Sequence, residues 1–189
     1  MRWRSRIRSF LRSRLPPSGE ILSVFGVVVF AVHSWSVRGF LFHLPSFLLK
    51  KPLGEIAGIF CYHMVFALLE SGFLIAFILI LAVVLPSAWL RNGFVYKGFL
   101  LVAAATVTAI LLQDSPAYET FTFAISNDPN LAAKISVTLI AFLVLYVLAH
   151  RRPGLQKPVI FLADQISIML FVYLPLDAVG LFVVAARLM

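Results

Sequence analysis

The chain has 189 residues, 61% apolar and only 13% charged, against roughly 45–50% and about 25% in an average soluble domain. With a mean hydropathy of +0.99, this composition excludes a disordered chain and argues against a soluble globule. The class that fits is an all-α, polytopic transmembrane helical bundle. The formal charge of +8 would suggest a nucleic-acid partner in a soluble protein, but six of the sixteen Lys and Arg residues fall in the first fourteen positions. The charge therefore belongs to a tail, and no nucleic acid is expected.

Residues 1–20 form that tail, a basic N-terminal interfacial segment. Arg2, Arg4, Arg6, Arg8, Arg12 and Arg14 occur with no acid before Glu20. Trp3, Ile7, Phe10 and Leu11 recur at helical spacing, so a helix gathers them on one stripe with most of the arginines around and opposite it. This pattern suits an anchor lying on an anionic leaflet, with Trp3, Arg4, Arg6, Arg8 and Arg12 as the anchoring residues. Each basic residue there adds on the order of 1 kcal/mol. A merely solvated, topology-setting tail competes with this reading, as does an organellar transit peptide, given Ser5, Ser9 and Ser13. Pro16-Pro17 breaks any helix, and Ser18 is placed to cap the next one. The apolar stretch that follows exceeds a signal-peptide core and has no small-x-small pattern behind it, so Met1 onward reads as mature chain.

Residues 21–189 read as one transmembrane domain of five spans, about 21–44, 56–85, 94–113, 131–149 and 159–186. The first is secure to Val37. Each meets the roughly 17–25 residues that cross the hydrocarbon. Pro86-Ser87 closes the second, Asp114-Ser115-Pro116 closes the third, and Asn127-Asp128-Pro129-Asn130 introduces the fourth. Lys and Arg in the short loops set the orientation. With the N-terminus inside, the tail, Arg91, Lys97, Arg151, Arg152 and Lys157 are all cytoplasmic. The loop from Asp114 to Asn130 has no cation and is outside, as is the C-terminus. The expected location is a bacterial cytoplasmic membrane. Arg38, Lys50 and Lys51 resist this scheme, because they fall in the outer connection among Phe40, Leu41, Phe42, Leu44, Phe47, Leu48 and Leu49. Residues 38–55 are open between a re-entrant segment, an interfacial helix and part of a span. Four spans, with the first run not crossing, is the competing topology. No internal repeat supports an inverted-repeat transporter.

Ionisable groups inside a bilayer cost at least about 2.5–3.5 kcal/mol at mid-span and invite a functional reading. Counting depth puts His33 and Glu70 near the midplane, His63 and Asp177 nearer the outer leaflet, and Asp164 near the inner end. His63 and Glu70, seven residues apart, share one helix face about 10 Å apart along the axis. The expectation is that this face points into the bundle and that Glu70 pairs with His33 or is protonated, with a neutral Glu70 gluing helices as the bland alternative. Pro175 is expected to kink the fifth span beside Asp177.

Cys61 is alone and reads as an inert buried thiol. His33, His43, His63 and His150 show no metal-ligand spacing, and there is no nucleophile elbow, phosphate loop or dinucleotide fingerprint, so no metal, cofactor or catalytic residue is expected. Gly54 with Gly58 and Ala105 with Ala109 are small-x-x-x-small pairs suited to helix packing. The leading reading is a noncatalytic accessory or scaffold subunit, with the lipid bilayer and either a membrane-protein partner or a second copy as its partners. A small transporter with a polar path through Glu70, His33, His63 and Asp177 is the alternative. A third reading is a membrane enzyme acting on a lipid-linked substrate, with Asp114, Glu119, Asp128 or Asp177 near the headgroups.

Overall fold

A backbone in hydrocarbon has no water to bond, so long apolar runs with few breakers close their hydrogen bonds within helices. The computed structural model describes residues 14–85, 92–113 and 131–188, and no strand occurs among them. Six helices follow in order: α1 (Ser18–Lys50), α2 (Leu53–Val84), α3 (Phe94–Gln113), α4 (Leu131–Arg151), α5 (Gln156–Ser167) and α6 (Leu170–Leu188), with a short 3-10 turn at Pro153–Leu155. They supply five segments long and apolar enough to cross a membrane: Ser18–Lys50, Leu53–Val84, Phe94–Leu111, Ala132–Arg151 and Gln156–Arg187. The tail residues Trp3, Arg4, Arg6, Arg8 and Arg12 lie outside the described residues, as do the loop acids Asp114, Glu119 and Asp128.

Two spans differ from their sequence outline. The open stretch at 38–55 is helical as far as Lys50, passing through Pro45 without a break. It ends at Lys51, whose extended backbone (φ −135°, ψ 145°) is what a following proline imposes. At 33 residues α1 is about 50 Å long, against about 30 Å of hydrocarbon, so a helix of this length crossing a membrane would have to tilt or reach into the headgroup layer. The fifth segment, expected as one helix over 159–186, is two. At Ile168-Met169 the backbone tightens: the N–H groups of Ile168, Met169, Phe171 and Val172 each donate to a carbonyl three residues back, and Tyr173 resumes the four-residue step onto Met169. No Gly or Pro marks the spot. Ser167 does, because its hydroxyl bonds back to the Asp164 carbonyl at 2.7 Å and competes with the regular ladder.

The described residues fall into two compact units, one drawn from Met1–Val95 and Leu162–Met189, the other from Tyr96–Phe161. In the first, α2 packs along both α1 and α6, which meet each other over a shorter stretch. Named contacts fix the directions. At one end Arg14 Nη1 donates to the Leu85 carbonyl (3.1 Å), capping the C-terminus of α2, and Ser23 Oγ donates to Asp164 Oδ1 (3.0 Å). At the other end Arg187 Nη2 donates to the Gly54 carbonyl (2.7 Å). So α1 and α6 run parallel and α2 runs against both. The buried face of α2 carries Ile56, Met64, Ala67, Ser71, Ile78 and Ala82, at helical spacing, and α1 answers with Val24, Val27, Val28 and Phe40.

Glycine matters where backbones meet. A methyl group on Gly26 would lie 2.6 Å from the Ser167 Cα, so only glycine lets α1 approach the end of α5 this closely. The expected Gly54/Gly58 pair works differently: Gly54 faces open space, and Gly58 accommodates the end of the Arg187 side chain. Ala105 and Ala109 are exposed on α3.

In the second unit, Lys97 Nζ lies over the rings of Tyr96 (5.5 Å) and Tyr146 (5.7 Å), and Tyr146 stacks on His150. Gln156 Nε2 donates to the Ala149 carbonyl across the 3-10 turn (2.9 Å). Thr106, Thr108 and Thr138 each return their hydroxyl to their own helix four residues back. Of α4's membrane-length run, Leu139, Ile140, Leu143, Val144, Val147 and Leu148 are exposed.

Candidate functional site

The polar centre of the first unit joins its first and last helices. His33 lies fifteen residues into α1, about 22 Å along the axis from Ser18. Its Nε2 sits 3.0 Å from Asp177 Oδ1 and 3.2 Å from Oδ2, and its Nδ1 lies 2.9 Å from the carbonyl of Val29 on its own helix. The side chains are 0% and 1% exposed, which for two ionisable groups demands that each be the other's partner. The Tyr173 ring, one turn before Asp177 on α6, covers the imidazole at 4.8 Å between centroids. Pro175, inside α6, has no N–H to give, so the carbonyl four residues back loses its usual donor just below the pair.

The register of these residues spans the tight turn. Facing residues are 141 apart in sequence at Ser23–Asp164 and 144 apart at His33–Asp177. The offset between facing residues thus changes by three between these two pairs, within the stretch that contains the turn at 168–169.

Four intramembrane candidates came from the sequence: His33, His63, Glu70 and Asp177. The structure unites His33 with Asp177. His63 lies further along, with Nδ1 bonded to the Ile59 carbonyl of its own helix (2.9 Å) and its backbone carbonyl accepting from Ser36 Oγ (3.3 Å). Its ring meets Phe40 at 5.8 Å. Glu70 does not pair with His33. It is exposed on α2, on the same face as His63 but rotated out of the three-helix packing. The residue buried beside it is Ser71, whose hydroxyl returns to the Ala67 carbonyl at 2.7 Å. Glu70→Gln is therefore expected to leave the unfolding midpoint of the detergent-solubilised chain within about 0.5 kcal/mol of the parent, measured by denaturant titration with tryptophan fluorescence.

No family model, curated protein or solved structure matches the chain. Its function is therefore argued from its own geometry. Asp164, expected at the inner interface, takes the Ser23 hydroxyl. Among the described residues no three His, Cys, Asp or Glu side chains are grouped so as to hold a metal ion. The titratable pair at the centre is closed on itself: one side chain is an imidazole bonded through both nitrogens, the other a carboxyl group bonded to it. What the arrangement can do chemically is hold, give up or accept a proton, and fasten α1 to α6.

Depth counting missed the pair because it started the fifth span at Val159, placing Asp177 eighteen residues in and His33 only twelve residues into the first. The signal available was the shared sense of α1 and the fifth segment, both outward-going in the five-span topology, which allows an acid on one to meet a base on the other.

Proposed function

We propose that the chain is a noncatalytic integral membrane protein serving as an accessory or scaffold subunit of a membrane complex. One observation supports this reading: the fully buried ionisable pair of the three-helix unit, His33 with Asp177, is spent on holding its first and last helices together. His33 and Asp177 bond to each other, Ser71 and His63 bond to carbonyls of their own helix, and Ser36 bonds across to α2. A fastening of this kind suits a rigid membrane body whose work is done through its outer surface.

In this reading the N-terminus lies inside and the C-terminus outside, in a bacterial cytoplasmic membrane. Arg14 on the α2 terminus puts the root of the basic tail at the same end of the unit as Leu85, in keeping with a tail held against an anionic leaflet. The partner is a membrane protein or a second copy of this chain. Native mass spectrometry of the protein, extracted mildly from its own membrane, tests the proposal. A complex of fixed stoichiometry, reproduced after re-solubilisation in a second detergent, is the expected result. A lone chain in both detergents that by itself carries a solute flux in proteoliposomes would overturn it and favour the transport reading, for which the ionisable pair at membrane depth is the supporting feature.

A further inference from the structure

The hydrogen-bond geometry of His33 fixes how many protons the pair contains. Nδ1 lies 2.9 Å from the Val29 carbonyl, which can only accept, so Nδ1 carries a hydrogen and donates it. A neutral imidazole protonated on Nδ1 has only a lone pair at Nε2. That nitrogen faces both oxygens of Asp177, at 3.0 and 3.2 Å, and an ionised carboxylate also has only lone pairs to offer. Two acceptors at that distance, with side-chain exposures of 0% and 1% and no water's dielectric between them, repel. The contact becomes a bond when one further proton lies in it. On Nε2, that proton makes an imidazolium against a carboxylate; on the carboxyl oxygen, it makes a neutral acid donating to a neutral ring. The two forms have the same atoms and the same zero net charge, so the statement belongs to the pair rather than to either residue.

We propose that His33 and Asp177 form a single-proton binding site, in which packing α1 against α6 captures one proton in the Nε2–carboxyl contact and separating them releases it to water at neutral pH. The ligand is the proton itself, and the inference does not depend on the scaffold reading. No other acid or base among the described residues is hydrogen-bonded to the pair. On the packed elements, the titratable groups around it are Tyr173 of α6, whose ring lies tilted against the imidazole, and Cys61, His63 and Glu70 of α2, of which Glu70 is exposed. His63 is one turn away behind Ser36, and the Cys61 carbonyl lies beside Gly180, one turn beyond Asp177. Arg38 of α1 and Arg187 of α6 are exposed as well.

The sign of the linkage follows from counting protons beyond the one on Nδ1. Separated into water, the aspartate titrates near about 3.9 and the histidine near about 6.5. The separated pair thus holds mostly none well above about pH 6.5, one between the two values and two below about 3.9, whereas the proposed site holds one. The unfolded chain binds fewer protons than the folded one above about pH 6.5, so stability is lost as pH rises through that range, is level between the two values, and is lost again in acid.

The test is the equilibrium unfolding of the full chain in mixed micelles, titrated with a denaturing detergent from pH 6.5 to pH 8. For the parent chain the folding constant is expected to fall about sixteenfold over the window, the slope approaching tenfold per pH unit at its upper end. Asp177→Asn presents an amide N–H to Nε2 and satisfies the same contact without a titratable proton, so it is expected to fold and to lose that slope. His43, His63 and His150 are common to both chains and cancel in the comparison. A parent chain with no steeper slope than Asp177→Asn overturns the proposal. If Asp177→Asn does not fold, nitrogen NMR of the parent chain labelled at histidine decides: His33 protonated at Nδ1 at pH 7 is the expected result, and a ring bearing its only proton on Nε2 overturns the site.

Discussion

Asp177→Ala is expected to destabilise the three-helix unit by about 3–5 kcal/mol, the cost of leaving one member of a buried ionisable pair without its partner. His33→Ala is expected to cost a similar amount, because the carboxyl group then has no donor at 3.0 Å. The informative comparison is the doubly apolar chain, His33→Leu with Asp177→Leu. Fully replaced pairs are often neutral or even stabilising, since both desolvation costs disappear together, so the double variant is expected to recover at least half of the loss. The measurement is a double-mutant cycle of unfolding free energies in mixed micelles, and a coupling of at least about 2 kcal/mol is expected between two side chains that bond to each other and to little else. Additive single effects would mean that the residues act on the fold separately.

The second large effect belongs to Gly26. Its missing side chain is matched by the backbone of Ser167, and Gly26→Ala would place a methyl group 2.6 Å from that Cα and 2.7 Å from the Ser167 Cβ. Backbone cannot swing aside, so α1 and the end of α5 must part by more than half an ångström, at a cost of about 1–3 kcal/mol for alanine and more for valine. Gly58→Ala is the control. There the atoms in the way are the tip of the exposed Arg187 side chain, which can leave its hydrogen bond to the Gly54 carbonyl and turn into solvent or headgroups. Its expected effect is within about 0.5 kcal/mol. Unfolding midpoints of the two alanine variants, read side by side, separate a crossing of backbones from a seat for a side chain, although both glycines occupy the same kind of position in sequence.

Much of the architecture was legible before the coordinates. Apolar length and polar breakers placed α2 and α4 to within three residues at each end and α3 to the residue, because clustered loop residues and prolines together disfavour continuing a helix. The extent of α1 was not legible. Pro45 and the cations Arg38, Lys50 and Lys51 look like an ending, yet a proline facing outward removes one hydrogen bond without stopping a helix whose neighbours hold it. The division of the fifth segment was not legible either, since Ile168 and Met169 are ordinary helix residues and the disturbance comes from Ser167 at the Gly26 crossing. Sequence reasoning found both members of the buried pair and assigned them to different depths. For Glu70 the polarity was visible but the rotation was not: α2 is apolar on all sides, so no hydrophobic stripe told which side of it would face α1 and α6.

The sequence distance between His33 and Asp177 also has a consequence for biosynthesis. In a chain that spans a membrane the histidine would enter with the first helix, and its partner is 144 residues away, roughly 7–30 s later at ordinary translation rates of about 5–20 residues per second. Through that interval α1 must stand in the bilayer as a helix with an unmatched imidazole, tolerable only as the neutral ring. The arrival of Asp177 with the last helix then gives that imidazole its partner. Nascent chains stopped before residue 177 are accordingly marked by an unsatisfied histidine at membrane depth, a feature by which a quality-control protease can tell an unfinished chain from a finished one.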